Sequence, residues 1–561
     1  MKKLNVHIVF SLITLGLLML GLNMIPLFDW DELNFAESAR EMNVTKNYLY
    51  VQMGFEPFWE KPPLFMWLQA LSERLFGAHV WAYKLPNIIA GVAAVNLAYH
   101  IGDNMGKRML GSFWALATLL SFGPYIYWKS GIIDPVFNLF IVTAIYQWYK
   151  ITQASLKNER SHTYYLSVGV FLGLAFLTKG PVAILITGLV VFVVTAIRSK
   201  WHELFNTKLL LSVFGLLSVV SLWVLPLLNS NGAQFLQEFI DYQIILFKGQ
   251  IEWHNQPWFY HIVVLFFVAF PSSILALPHL FRNQILDRNT DIWNLFMRAL
   301  FWSVLIVFSI TTTKIIHYSS LCWWSLTYFG AYQVYLVYTN RWHLPKWLLI
   351  PLFVSFLGLA LGLWGIPLLF NMRPTPVWLE SKLDLFSKGI LSAHTSWEWW
   401  VLIPAALFTV WMLLWFFHQL MGRKSNAGIL YVISGVTAVL ASTLLIPRVA
   451  DTLQGPVTKL IQNETKKGVF LEAWYYKTYA LYFHGKFQPD DFKNLNPELP
   501  VKEDEPYPQQ TARRSHAMNP DNKELIKVIT KVQFVPDHSF AEKFEIDTTV
   551  GGYRLWKRRQ N

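Results

Sequence analysis

Cysteine is nearly missing: the chain of 561 residues has one, Cys322, which excludes an intrachain disulfide framework and a cysteine-based metal site. Charge is scarce too, at 15% Asp, Glu, Lys and Arg, against roughly a quarter in soluble domains. There is no Gly-rich phosphate loop and no His-Glu-x-x-His motif, and neither low-complexity tracts nor a solenoid period interrupts the chain. What fills the sequence is apolar, with 54% hydrophobic and 16% aromatic residues. Such a chain is a polytopic α-helical membrane protein with a soluble part attached.

The formal net charge of +12 would suit nucleic acid, but the basic residues sit in short loops between apolar runs, and no nucleic-acid-binding signature accompanies them. Spans of about 20 largely apolar residues fall near 7–26, 80–101, 109–127, 132–149, 164–178, 181–197, 208–228, 259–280, 296–313, 315–338, 347–370, 397–419 and 427–447, about thirteen transmembrane helices. Met1-Lys2-Lys3 and the run after it resemble a signal peptide, yet the run is too long and lacks a small-residue cleavage site, so it reads as a retained first span. With the N-terminus in the cytoplasm, the inner loops hold Lys107 and Arg108, Lys150, Lys157 and Arg160, Arg198, Lys200 and Lys208, Arg282 and Arg288, Arg341 and Lys346, Arg423 and Lys424. The short outer loops hold only Lys129, Lys179 and Lys314, as the positive-inside rule requires. The domain division is 1–447 for the membrane part, with a long outer loop at 27–79, and 448–561 for a soluble α/β domain outside, where alternating runs at 468–484, 525–535 and 542–557 read as strands.

The unusual chemistry lies on the outer side. Asp29, Asp31 and Glu32 stand directly after the first span, and carboxylates beside hydrocarbon are costly enough to imply function. Leu33, Ala36, Ala39 and Met42 then recur every third residue, predicting a helix flat on the interface with Glu37, Arg40 and Glu41 toward water. A carboxylate can take the proton of an acceptor hydroxyl, and Asp134 at the head of a span supplies a second acid, although Asp134-Pro135 also suits a helix start. Lys61, Lys129, Lys179 and Lys314 break the positive-inside pattern on the outer side, where lysine matches phosphate. Glu60, His254 and His317 are candidates for a divalent metal, though a lone interfacial histidine is more often a hydrogen-bonding residue.

The ordered motifs Asp31-Glu32-x-x-Phe35-Ala36-x-x-Ala39-Arg40-Glu41-Met42, Glu60-Lys61-Pro62-Pro63-Leu64-x-x-Trp67, Asp134, His254-x-x-Pro257-Trp258-Phe259-Tyr260 and Lys314-x-x-His317-Tyr318 resemble the GT-C membrane glycosyltransferases. More narrowly, they are similar to the branch that unites protein O-mannosyltransferases with the bacterial lipid A aminoarabinose transferases. The resemblance implies inverting transfer from a polyprenyl-phosphate-linked sugar, on the periplasmic face of the inner membrane, to lipid A, another envelope glycan or a protein hydroxyl. It makes Asp31 the base, Glu32 its acidic neighbour and Asp134 the second-loop acid. Lys61 would hold the donor phosphate, with Glu60 and His254 beside it as the pair for any metal. Lys314, His317 and Tyr318 would line the same cavity, and the soluble domain would be periplasmic. No cofactor is otherwise required. The chain departs from the aminoarabinose branch at Ile315-Ile316, where that branch tends to have Leu-Pro, and at His317-Tyr318-Ser319-Ser320 in place of a Tyr-Ile-Leu-Pro run. The competing class is a transporter or flippase of lipid-linked substrates, whose charges would sit near the bilayer midplane within repeated, broken helices.

Overall fold

A computed structural model of the protein describes residues 3–248, 256–281, 288–311, 314–372, 376–393, 397–421, 426–492, 513–514, 516–519 and 525–559. The chain opens with α1 (Lys3–Met19), α2 (Asp31–Thr45), the hairpin β1 (Gln52–Met53) and β2 (Glu56–Pro57), and α3 (Leu64–Phe76). Then come α4 (Val80–Asn104), α5 (Arg108–Leu120), α6 (Phe122–Trp128), α7 (Asp134–Lys157), α8 (His162–Lys179), α9 (Val182–Arg198), α10 (Leu209–Asn229) and α11 (Ala233–Lys248). The second half of the bundle holds α12 (Tyr260–Val268), α13 (Ser272–Leu275), α14 (Leu277–Phe281), α15 (Arg288–Ile310), α16 (Cys322–Tyr338) and α17 (Leu349–Asn371). After the short α18 (Val377–Glu380) and α19 (Leu385–Ser392), α20 (Ile403–Leu420), α21 (Ile429–Leu440) and α22 (Ile446–Leu453) close it.

Each expected span is a helix or a bent set of helices. Seven among the described residues are by themselves long and apolar enough to cross a membrane, or nine if each of two bent pairs counts as one span. The two bends, 69° between α5 and α6 and 109° between α12 and the segment Ser272–Phe281, meet each other. Phe122 N–H donates to the Phe270 carbonyl at 2.9 Å, and the Ser121 and Ser272 hydroxyls lie 2.8 Å apart. Backbone groups freed by a break must find partners inside an apolar bundle, and here each break serves the other. Helices α8 and α10 pack backbone to backbone: a Cβ on Gly169 would stand 2.0 Å from the Ser212 carbonyl oxygen, the close approach that small residues allow. The expected span at 315–338 differs, because a 3-10 turn over Ile316–Ser319 precedes α16.

The helix begun at Ile429 runs on to Leu453 through a π-helical stretch, Ala441–Leu445, past the expected boundary at 447. A small C-terminal domain follows with α23 (Gly455–Lys466), β3 (Phe470–Ala473), α24 (Ala480–Gly485), β4 (Ile526–Lys531), β5 (Phe544–Val550) and β6 (Tyr553–Arg558). Its sheet has the order β3-β4-β6-β5, with β3 parallel to β4 and the rest antiparallel. Gly551 and Gly552, both at positive φ, make the two-residue hairpin turn that the right-handed strand twist favours. A small core of Ile526, Val528, Phe540, Phe544 and Trp556 covers one part of the sheet. Leu471, Tyr479, Leu481, Ile529 and Leu555 instead join the main core of the bundle, so the domain is packed onto the end of the bundle that carries α2.

That packing corrects one expectation. Glu37, Arg40 and Glu41 do not face water; all three are buried. Arg40 forms a two-point ion pair with Glu37, both bonds at 2.7 Å, and donates to the Phe487 carbonyl of the C-terminal domain. Glu41 accepts the N–H groups of Gly54 and Phe55 in the β1–β2 hairpin, and burial together with Glu37 pushes its carboxyl well above the ordinary carboxylate value. The periodicity of α2 predicts the helix, but protein, in place of water and lipid, covers both of its faces.

Candidate active site

The N-terminus of α2 is aimed by a strained turn. Trp30 sits at φ 92°, uncommon for a residue with a side chain and sustained only where the surroundings hold it. Asp29 supplies that hold, accepting the Thr478 hydroxyl at 2.6 Å and the Tyr479 N–H at 3.0 Å, while its own N–H donates to Gln454 Oε1. Glu32 accepts Phe28 N–H at 2.8 Å and Gly131 N–H at 2.6 Å. Its carboxylate therefore pins the loop between α6 and α7 to α2. The next residues of that loop are held by Asn87, whose amide donates to the Ser130 and Ile132 carbonyls at 2.7 Å each.

Asp134, thus placed, does not cap its helix. One carboxylate oxygen takes the Lys179 ammonium; the other lies 3.9 Å from His317 Nε2 and has no hydrogen-bond partner among the described residues. The same His317 nitrogen is 3.4 Å from Asp31 Oδ2, so a single imidazole faces both acids. Asp134 is buried, whereas the Asp31 side chain is 32% exposed, which leaves Asp31 as the carboxylate open to an incoming molecule. Lys179 ends α8, where the helix dipole favours a cation, and its ammonium lies 5.0 Å from the Tyr318 ring centroid. Tyr318 is within electrostatic reach of Asp31, Asp134 and Glu60.

On the other wall, Trp59, Tyr50 and Leu64 pack on a cluster of Leu177, Trp223, Leu227, Phe235 and Phe239. This fixes the Glu60-Lys61 turn against α11. The Tyr242 phenol donates to the Glu60 carboxylate, Gln243 Nε2 donates to the Glu60 carbonyl at 3.2 Å, and the Lys61 ammonium stands 6.0 Å from the Tyr242 ring centroid. Lys477, from the loop between β3 and α24, is within electrostatic reach of Glu60, Asp31 and Lys61. Lys314 is buried one layer back, donating to the Thr311 carbonyl and facing His261 alongside His317.

Residues 60–224 match the family model described as dolichyl-phosphate-mannose-protein mannosyltransferase. The chain is 26% identical over 256 residues to an undecaprenyl phosphate-alpha-4-amino-4-deoxy-L-arabinose arabinosyl transferase of Proteus mirabilis, covering 45% of each. It is 25% identical over 381 residues to the protein of the same description from Pectobacterium atrosepticum, covering 65% of this chain and 66% of that one. The match to the first of these relatives spans less than half of its length. Against the crystal structure of ArnT from Cupriavidus metallidurans bound to undecaprenyl phosphate, 99% of this chain and 98% of that one superpose with a TM-score of 0.71 at 16% identity. The apo form of that protein gives 0.72. The fold is GT-C. The resemblance read from the motifs holds, and the chain is a multi-pass membrane protein.

The geometry gathers Asp31, Asp134, His317 and Tyr318, with Glu60 within electrostatic reach of Tyr318; Lys61 stands beside Tyr242 on the neighbouring turn. Glu32 stands next to Asp31 in sequence, but both its oxygens are taken by backbone amides, which makes it a positioning residue. His254 lies outside the described residues, and among those described no three His, Cys, Asp or Glu side chains form a cluster able to hold a metal. Glu60 accepts from Tyr242. Lys129, grouped with the outer lysines, turns away to the Leu20 carbonyl and the Ser442 hydroxyl. Sequence reasoning missed Tyr242 and Lys477. For Tyr242 no local signal existed. For Lys477 there was one: a lysine enclosed by tyrosines in Tyr475-Tyr476-Lys477-Thr478-Tyr479, an aromatic setting that an ordinary surface lysine does not have.

Proposed function

We propose that the protein transfers a sugar from a polyprenyl-phosphate donor to a hydroxyl or phosphate acceptor with inversion, on the periplasmic face of a bacterial inner membrane. The single observation that carries this reading is the convergence of Asp31, Asp134 and His317 at one end of the bundle. That end also bears the soluble domain, and it is opposite the end where Lys157, Arg160, Arg198 and Lys208 collect. The positive-inside rule favours a basic end in the cytoplasm, which supports an outside position for the acids and the C-terminal domain.

Asp31, the more exposed acid, takes the acceptor proton as the acceptor oxygen bonds to the anomeric carbon. The bond from that carbon to the phosphate oxygen breaks on the opposite face, and the electron pair leaves with the polyprenyl phosphate. Lys61 neutralises the charge that develops there, in a site where donors already in position are worth more than in water. Asp134, locked by Lys179, adds a second negative charge facing His317 across 3.9 Å, on the side away from the acceptor. The relatives named above point to 4-amino-4-deoxy-L-arabinose as the sugar; with lipid A, the acceptor that the motif resemblance implies, this is the narrower form of the proposal. Protein O-mannosylation rests only on the family description. If Glu60 and His254 hold a cation, chelation should abolish transfer and Mn²⁺ or Mg²⁺ should restore it.

The transporter reading expects charges at the midplane, and these acids stand at helix starts at the bundle's end. The deciding test is purified protein with an undecaprenyl-phosphate-linked aminopentose and lipid A, the product read by mass spectrometry. Modified lipid A supports the proposal; transbilayer movement of the donor with no product would overturn it.

A further inference from the structure

Between α17 and α20 the chain makes an excursion at the end of the bundle that carries the C-terminal domain. Its two feet stand side by side: the Phe370 and Trp397 rings stack with centroids 5.0 Å apart, and Asn371 Nδ2 donates to the Trp397 carbonyl at 3.2 Å. One foot ends a span and the other leads into one, and both spans are long and apolar enough to cross a membrane. The feet therefore mark the depth at which hydrocarbon gives way to headgroups. The excursion stays apolar beyond them. Val377 and Trp378 on α18 and Trp399 at the head of the next span are 81, 64 and 75% exposed, and Leu385 at the start of α19 is exposed too. Large exposed apolar side chains grouped in this way, with Glu380, Lys382 and Asp384 exposed beside them, mark an interaction surface.

The excursion is also fastened to the C-terminal domain. Asp384 caps α19 by accepting the Ser387 N–H at 3.0 Å. The helix then sets Phe386 edge to face on Tyr553 of β6 at 5.2 Å, with the Lys531 ammonium of β4 4.9 Å from the Phe386 ring centroid. One turn on, the backbones touch: a Cβ on Gly389 would collide with the Gly552 Cα in the β5–β6 turn. We propose that α18 and α19 form a membrane-surface strap, which lays Val377, Trp378 and Trp399 in the headgroup–acyl boundary of the adjoining leaflet and holds the C-terminal domain down through α19. The occupant is lipid because the exposed face continues that of α17, where Leu368, Leu369 and Met372 stay exposed up to the foot. Tryptophan suits that boundary, with a broad apolar ring and one N–H for water or a headgroup. The strap reaches the site at one remove, since the domain it holds also supplies Thr478 and Tyr479, which hold Asp29. It is independent of the transferase reading.

The test uses the full-length protein in phospholipid nanodiscs. Nitroxide labels are introduced singly through Val377→Cys, Trp378→Cys and Lys382→Cys in a Cys322→Ala background. Leu361→Cys on α17 serves as the lipid standard and Val535→Cys in the C-terminal domain as the water standard, both positions being well exposed. Labels at 377 and 378 should relax with oxygen in preference to a water-soluble nickel complex, as at 361, and the label at 382 should do the reverse, as at 535. Labels at 377 and 378 that follow the water standard, or that are shielded from both agents as a contact with a second copy would make them, overturn the proposal. In the unsubstituted protein, a phospholipid with a diazirine near its headgroup should tag the segment 376–392 on illumination; tagging confined to the spans would overturn it equally. Gly389→Leu should part α19 from the β5–β6 turn. Amide exchange at 551–553 should then rise about tenfold or more, while the labels at 377 and 378 keep their preference for oxygen. Unchanged exchange there would overturn the link to the C-terminal domain.

Discussion

Both ends of the bundle bury a carboxylate against a basic residue, and the two pairs are built differently. At the basic end, Glu203 accepts from Arg198 Nη1 at 3.1 and 2.9 Å and from the Thr152 hydroxyl at 3.0 Å, so both of its oxygens are used. At the other end, Asp134 gives one oxygen to Lys179 and leaves the second facing His317 across 3.9 Å, beyond hydrogen-bond reach. Asp31 stands 3.4 Å from the same imidazole with a third of its side chain exposed. A closed pair is a strut: its valences are used up in holding helices together. An open set retains acceptor capacity in a buried place, which costs stability and makes sense only where a substrate completes it.

The largest effect that sharpens this contrast is on chemistry. Asp31→Asn should lower the transfer rate by about 10²- to 10⁴-fold, the usual worth of a positioned general base, with undecaprenyl phosphate binding and melting temperature close to wild type. A near-normal rate would move the base elsewhere. The strut should answer the other way. Arg198→Ala leaves a buried Glu203 unpaired, which costs about 3–5 kcal/mol in folding, while the protein that remains folded keeps its kcat. If Arg198→Ala lowered kcat without lowering the melting temperature, the distinction between the two ends would fail.

A middle-sized effect tests the anion wall of the open end. Lys61→Ala should weaken donor binding about 10- to 100-fold, as for a lost hydrogen bond to a charged group, and the loss should shrink as salt is raised. Unchanged affinity for undecaprenyl phosphate in titration calorimetry would remove Lys61 from the phosphate site.

The residues of the candidate site were largely legible because charge is rare in this chain. Asp31, Glu60, Lys61, Asp134 and His317 stand out against hydrocarbon-compatible surroundings, and the physics that makes them costly there also marks them. Which of them close on one another was not legible. Glu32 and Asp31 are adjacent and alike, yet Gly131, 99 positions away, decides that Glu32 is a strut and Asp31 is open. Glu37, Arg40 and Glu41 read as water-facing because their cover comes from β1–β2 and from Phe487, contacts that no periodicity encodes. Tyr242 was invisible as a site residue for the same reason. The helices themselves followed from apolar length, except where polar, buried helices such as α7, α8 and α16 fall short of an apolar test while still filling expected spans.

The smallest expected effect sets one outer lysine against another. Lys129 and Lys61 have the same chemistry, and both break the positive-inside pattern, so by sequence they are equal candidates for phosphate. Lys129 is buried, and its ammonium donates to the Leu20 carbonyl and to Ser442 Oγ, the latter at 3.0 Å, tying the loop between α6 and α7 to the end of the first span and to the π-helical stretch before α22. Lys129→Met should therefore leave undecaprenyl phosphate affinity unchanged. It should lower stability by about 1–3 kcal/mol through the acceptors it strands, read as a lower melting temperature in detergent. If donor binding fell instead and the melting temperature held, the carbonyl contact would be incidental, and the phosphate wall would have to extend from Lys61 across to the second outer loop.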